Sequence, residues 1–219
     1  MSSISPDIVT DGLVVCLDAA DKKSYSGSGT TWYDRSGEDN DGTLINGANF
    51  DSEAGGCIAL DGVNDYVQLY KNNTTELTLI GWAKFTGASW PSYAGIISKD
   101  ISGDRIYQLN WTWGKLQSHL GAGITASEAT PLNTWIHFGF TSSSSGGSVL
   151  YRNAQVVGTN GSSISANASD IPITIGAFNN YNASGGSKLI ADSLIYDRAI
   201  SAAEVLQNFN AMKSRFGIT

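Results

Sequence analysis

Lys188-Leu-Ile-Ala-Asp-Ser-Leu-Ile-Tyr196, continuing through Asp197-Arg-Ala-Ile-Ser-Ala-Ala-Glu-Val-Leu-Gln-Asn-Phe209, decides the fold of this chain. Its first nine residues mix Leu, Ile and Tyr with small residues, the composition of a strand packed on both faces. Ser201 and Glu204 stand in the S-x-x-E spacing of a capping box, which satisfies two backbone donors left open at a helix start. Val205, Phe209, Met212 and Phe216 recur at i+3 and i+4 spacing, so one apolar stripe is available to lie on a sheet. A buried strand running into a capped helix predicts a sheet protein closed by one terminal helix.

Working back from this segment, strands are predicted over 12–18, 57–61, 65–70, 77–85, 94–98, 105–111, 115–120, 135–141, 148–152, 155–158, 171–176 and 188–196. Short strands at a regular beat, separated by turn residues, are the signature of a sandwich or barrel. The region from 19 to 56 has little periodicity. Long loops in a domain are functional or pinned by their own side chains, and Trp32 and Tyr33 are the expected pins. Residues 1–10 read as an N-terminal arm and 11–219 as one domain, because no change of composition divides them.

A net charge of −7 and a pI near 4.6 argue against nucleic acid, whose phosphates need clustered Lys and Arg. No run of 18 apolar residues exists, so no membrane span is expected. Met1-Ser-Ser-Ile-Ser-Pro-Asp7 has neither a basic patch nor an apolar h-region, so no secretory signal is expected either. Cys16 and Cys57 each sit in an apolar run. They read as buried free thiols, with a disulfide between adjacent strands as the alternative.

Several motifs occur in a fixed order. Asp11-Gly-Leu-Val-Val-Cys-Leu-Asp-Ala is followed by Trp32-Tyr-Asp-Arg-Ser-Gly, Asp41-Gly-Thr-Leu and Leu60-Asp-Gly-Val-Asn-Asp-Tyr-Val. Leu77-Thr-Leu-Ile-Gly-Trp-Ala-Lys, Trp135-Ile-His-Phe, Leu150-Tyr-Arg-Asn-Ala-Gln-Val-Val and Ile175-Gly-Ala precede the strand–helix ending. Together they resemble the concanavalin A-like jelly rolls of the laminin G-like branch, over residues 11 to 214. The resemblance implies an all-β, two-sheet antiparallel sandwich with one C-terminal helix. Ala154 stands where the family places Gly, so a positive-φ turn there must rest on Asn153 or shift by one residue. The termini, Ile4-Ser-Pro-Asp-Ile-Val-Thr-Asp-Gly-Leu13 and Lys213-Ser-Arg-Phe-Gly-Ile218, resemble those of tailed-phage structural proteins.

Jelly-roll glycanases present two carboxylates on one strand face, but the five Glu residues here lie singly at 38, 53, 76, 128 and 204. His119 and His137 lie apart, and no nucleophile elbow, Walker loop or clustered Cys/His set is present. A non-enzymatic role is therefore expected. Asp39-Asn-Asp-Gly suggests a calcium loop, yet Gly37 and Ala48 occupy its first and closing ligand positions. Asp192 shares a strand face, by alternation, with Ile190, Leu194 and Tyr196, so its carboxylate needs a partner. The resemblance implies a structural Ca2+ held by Asp192 and the Gly62 carbonyl; Asp18 and Asp65 are alternative ligands. A hydrogen-bonded Asp192 without metal is the alternative.

Tyr107, Leu109, Trp111 and Trp113 alternate onto one strand face, and Asn110 and Thr112 onto the other. Trp111 and Trp113 with Trp90 and Tyr93 could stack on sugar rings, although tryptophans of a sandwich usually fill its core; Trp82 and Trp135 are assigned there. The loop around Asn179, Asn180 and Tyr181 adds amides and an aromatic. The missing catalytic constellation and export signal, with the resemblance of the termini to tailed-phage structural proteins, imply a virion structural protein, a capsid decoration, fibre or tail part, contacting other virion proteins. The aromatics and amides add contact with host surface glycans. A homo-oligomer is expected for such parts. The alternative is a free-standing lectin module of a bacterial or phage surface protein.

Overall fold

The computed structural model describes residues 7–70, 75–101, 104–120, 123–163, 171–177 and 185–219. In chain order the first strands are β1 (Leu13–Asp18), β2 (Thr31–Trp32), β3 (Gly42–Ile45), β4 (Asn49–Asp51), β5 (Cys57–Leu60) and β6 (Tyr66–Leu69). Then come β7 (Leu77–Phe85), β8 (Ala94–Ile101), β9 (Asp104–Thr112), β10 (Lys115–His119) and β11 (Ile124–Ala129). The last are β12 (Trp135–Ser143), β13 (Gly147–Arg152), β14 (Gln155–Asn160), β15 (Ile173–Ile175) and β16 (Lys188–Tyr196), followed by helix α1 (Ala202–Met212).

Two antiparallel sheets form a sandwich. One runs β14-β13-β12-β7-β16-β5-β4, and the other β11-β10-β9-β8-β15-β6-β3-β2. β16 organises the first sheet. One edge pairs with β7 along its length, while β5 takes residues 188–190 and β1 takes residues 192–196 of the other edge. All nine of its residues are buried, as the apolar and small-residue composition of the segment requires. Leu17, Val67, Leu109, Phe138, Ile175 and Ile195 are among the side chains that meet between the sheets.

Helix α1 covers the outer face of the first sheet. Ser201 Oγ accepts from the Glu204 amide at 3.3 Å and Glu204 Oε2 accepts from the Ser201 amide at 2.7 Å, so the capping box is complete. The predicted stripe packs as expected: Phe216 stacks on Trp82 at 4.0 Å and Phe209 at 5.6 Å. Phe209 and Phe216 are half-buried, so each contributes less than the roughly 1.5–3 kcal/mol of a fully buried side chain of this size. Trp82 and Trp135 thus lie under the terminal helix and the turn after it, not between the sheets. Residues 7–9 run along the same helix. The Val9 amide donates to Asn208 Oδ1, and Tyr196 Oη donates to the Val9 carbonyl. No helix of the described residues is long and apolar enough to cross a membrane.

Four strands escaped the sequence. β2, β3 and β4 lie in the aperiodic stretch, each too short to show an alternation. β11 carries only Ile124 and Ala126 on its buried side. Trp32 pins that stretch, but Tyr33 is 51% exposed. Its intended role falls to Tyr25, whose hydroxyl donates to the Gly29 carbonyl, and to Asp34, which accepts from the amides of Cys16, Ser36 and Asn40. The β13–β14 turn places both Asn153 and Ala154 at positive φ, 51° and 60°. Both cysteines are free thiols.

Alternation also fails at one point. A register shift between Ile190 and Asp192 in the β16–β7 pairing sends Ile190 into the sandwich core and Leu194 and Tyr196 outward beneath the helix. Asp192 therefore does not share a face with Ile190. A bulge adds one residue and inverts the inside–outside order beyond it.

Candidate functional site

The second sheet carries a row of polar side chains on its outer face. Its inward row is Leu44, Val67, Ile175, Ile97 and Leu109, matched strand by strand and buried. Because side chains alternate, each neighbouring residue points outward. The registers bring Thr31, Thr43, Gln68, Thr174, Ser98, Gln108 and His119 into line across seven strands, from β2 to β10. None is apolar and none is a carboxylate. The row is open at its ends and closed at its centre: Thr43 is exposed, Gln68 and His119 half-buried, and Ser98, Thr174 and Gln108 buried.

Local hydrogen bonds hold the row in place. Gly176, at φ 88°, turns the chain where an added Cβ would meet Leu60. That turn brings the Ala177 carbonyl over the sheet, where Ser98 Oγ donates to it at 3.0 Å and Thr174 Oγ1 at 2.9 Å. Gln108 Nε2 donates to Asp100. Next to this row, Asn110 Nδ2 donates to Thr112 Oγ1 at 2.9 Å, Thr112 donates to Gln117 Oε1, and Gln117 Nε2 donates to Thr125 Oγ1 at 2.7 Å. His119 Nε2 shares Gln117 Oε1 at 2.8 Å. Asn110 Oδ1 is buried in this network and has no hydrogen-bond partner among the described residues. A buried carbonyl oxygen without a donor costs about 1–3 kcal/mol, so this one is an open acceptor.

The aromatic residues divide. Trp111 is 1% exposed and packs in the core, so it cannot stack on a ligand in this conformation. Trp90 stacks on Phe85 at 4.3 Å and donates Nε1 to the Thr130 carbonyl at 3.1 Å. Trp113 adopts φ 49°, which takes it out of β9 into the turn, and it is 65% exposed. Its amide donates to the Ser92 carbonyl at 3.3 Å, which sets it beside Tyr93, 46% exposed. The backbones of Trp113 and of Ser92–Tyr93 thus meet at one rim, where Gly114 of the same turn lies against the Trp90 ring. Asn179, Asn180 and Tyr181 lie outside the described residues.

The pair expected to hold calcium is not brought together. Gly62, at φ 78°, lies against Gly186 just before β16, and six residues of extended chain, about 20 Å, separate Gly186 from Asp192. A metal ion with ligand distances of 2.3–2.6 Å, about the range for calcium, cannot touch both. Among the described residues no three His, Cys, Asp or Glu side chains are grouped to hold a metal ion. Asp65 instead accepts from the Gly47 and Asp61 amides, and Asp18 is paired with Arg215. Beside Gly62, Lys188 is fully buried and donates Nζ to the Gly176 carbonyl at 3.1 Å. Burial pulls its pKa down to about 8, against the charges of Asp61 and Asp65.

The family model described as the concanavalin A-like lectin/glucanases superfamily, Laminin_G_3, matches residues 61–206. The chain belongs to this concanavalin A-like superfamily. No curated protein sequence matches it. Among solved structures it is similar to the binding domain of Paraclostridial mosquitocidal protein 1, at 16% identity and a TM-score of 0.72 over 92% of this chain and 52% of that one. A Trypanosoma rangeli sialidase in complex with sialic acid gives 16% identity and a TM-score of 0.73, over 98% of this chain and 36% of that one. The receptor-binding domain of botulinum neurotoxin type G gives 16% and 0.69, over 90% and 51%. The chain spans about half or less of the length of these proteins, and at such identity the likeness is one of fold.

In this concanavalin A-like sandwich the polar row was only partly legible beforehand. The alternation of β9 does place Asn110 and Thr112 on the face opposite Trp111. Gln68, Ser98, Thr174 and Gln117 join them through register, a relationship between strands far apart in sequence.

Proposed function

We propose that this protein is a non-enzymatic carbohydrate-recognition module whose ligand lies across the outer face of the second sheet. The observation that carries the reading is the unpartnered Asn110 Oδ1 within a continuous field of amides and hydroxyls. A sugar offers donors and acceptors at a spacing of a few ångströms, and neutral polar groups match them without the desolvation cost of a charge. Trp113 and Tyr93 at the rim supply apolar faces for a sugar ring. A glycan array followed by tryptophan fluorescence titration tests this. Saturable binding that is lost in Gln117→Ala supports the reading, and no saturable signal at millimolar sugar overturns it. Release of reducing ends from host capsule would overturn the non-enzymatic part.

The setting we propose is a virion, with the module contacting other virion proteins as a capsid decoration, fibre or tail part in a homo-oligomer. The terminal segments 4–13 and 213–218 support this through their resemblance to tailed-phage structural proteins. Mass spectrometry of purified particles tests it, and absence of the chain from them removes it.

A further inference from the structure

The opposite side of the molecule holds a second concavity that the carbohydrate reading does not use. A cavity of about 300 Å³ lies on the outer face of the first sheet, between β1, β16, α1 and the segment at residues 7–8. Asp18 and Asp192 lie side by side in it as register partners, as do Cys16 and Leu194. Ile8, Ala211 and Met212 close it from above. Asp192 is 1% exposed. Its Oδ1 accepts from the Trp82 amide at 3.1 Å, whereas Oδ2 is buried without a hydrogen-bond partner among the described residues. Asp18 Oδ1 is taken by Arg215 at 2.8 Å and by the Ala20 amide at 2.9 Å. Among the described residues the ionisable groups about the cavity are thus Asp7, Asp18 and Asp192, with the Arg215 guanidinium against Asp18.

We propose that this cavity binds a small organic cation, a primary ammonium carried on a short aliphatic chain. An ammonium brings three donors and no acceptor, which suits an unpaired carboxyl oxygen beside a second carboxylate. The aliphatic part fits Ile8, Leu194, Ala211 and Met212. A bare divalent ion fits poorly, since it needs several oxygens and no three ligating side chains are grouped here among the described residues. Burial first, and the Asp18 charge second, raise the Asp192 carboxyl well above the usual range, which favours its protonated form in the empty cavity. Cys16, pushed up to about 12, stays a neutral thiol. On binding, the Asp192 O–H breaks, its proton leaves to solvent, and the carboxylate pairs with the ammonium. Each ligand therefore displaces the proton of an Asp192 that was protonated, at most one per site.

Isothermal titration of the full chain with n-butylammonium chloride, in two buffers of different ionisation enthalpy, reads both binding and proton release. Saturable binding accompanied by proton release is expected, the release growing as pH falls, with n-butanol binding much more weakly. Asp192→Asn should weaken butylammonium about 10–100-fold, the worth of a charge-assisted hydrogen bond. Ala211→Leu fills the cavity from the helix side, leaves both carboxyls in place, and should abolish binding even if the first variant folds poorly. Butanol binding as tightly as butylammonium, wild-type affinity in Ala211→Leu, or no saturable heat each overturns the proposal. The cavity and the polar row lie on different sheets, so failure of one leaves the other standing.

Discussion

Asp18 and Asp192 face each other directly across β1 and β16, two carboxyl groups on adjacent strands of a covered sheet face. Like charges in register repel, and burial adds to the cost of ionising both. Both effects raise the Asp192 pKa well above 3.8 and favour its protonated form in the native state.

This arrangement predicts a pH-dependent cost. Below pH 3.8 Asp192 is protonated whether folded or unfolded and contributes nothing. As pH rises past that value the unfolded chain releases the proton while the native state holds it, so stability falls by up to about 1.4 kcal/mol per pH unit until the native pKa is reached. Asp192→Asn keeps an acceptor for the Trp82 amide and turns a donor toward Asp18. Calorimetry should find it melting above wild type at pH 7, with the gap closing toward pH 4. A lower melting temperature at pH 7 would contradict a neutral Asp192.

His137 slopes the other way. Its ring packs against Trp82 and Phe209, neither nitrogen has a hydrogen-bond partner among the described residues, and burial lowers its pKa to about 3. Between pH 6.5 and 3 the unfolded chain takes up a proton that the native ring refuses, so stability is lost as pH falls through that window. His137→Phe retains an aromatic ring and removes the titration. Thermal melts from pH 7 to 4.5 should show a smaller loss in the variant than in wild type.

Two tryptophans two positions apart should answer differently to removal. Trp111→Ala empties a core position and is expected to cost about 3–5 kcal/mol. Trp113→Ala touches an exposed rim and should change stability by no more than about 0.5 kcal/mol while lowering glycan affinity. Denaturant titration and sugar titration on both variants separate the two roles.

The turn at Asn153-Ala154 holds a correctable strain. A left-handed conformation costs a residue with a Cβ about 1–2 kcal/mol, and glycine avoids it. Ala154→Gly should raise the melting temperature by about 2–4 °C, and an unchanged or lower value would show that the turn relaxes in solution.

Most of the sandwich could be read before folding. Twelve predicted strands overlap observed ones, and the strand, cap and helix of 188–216 formed where predicted, apart from the bulge in β16, because capping chemistry and stripe spacing are local properties of neighbouring residues. β2, β3 and β4 were hidden because strands of two to four residues carry no measurable period. Trp111 and Trp113 looked alike in sequence, and only the positive φ of Trp113 separated core from rim.

What sequence alone determined is the order of elements and which faces are apolar, since both follow from spacing along one chain. What only the tertiary structure decided is which side chains meet. The row from Thr31 to His119 exists through inter-strand register. The single bulge before Asp192 turned its carboxyl out of the sandwich, away from any site with Gly62 and against Asp18. Register and bulges depend on the summed packing of two sheets and a helix, and that sum is not written at any one position.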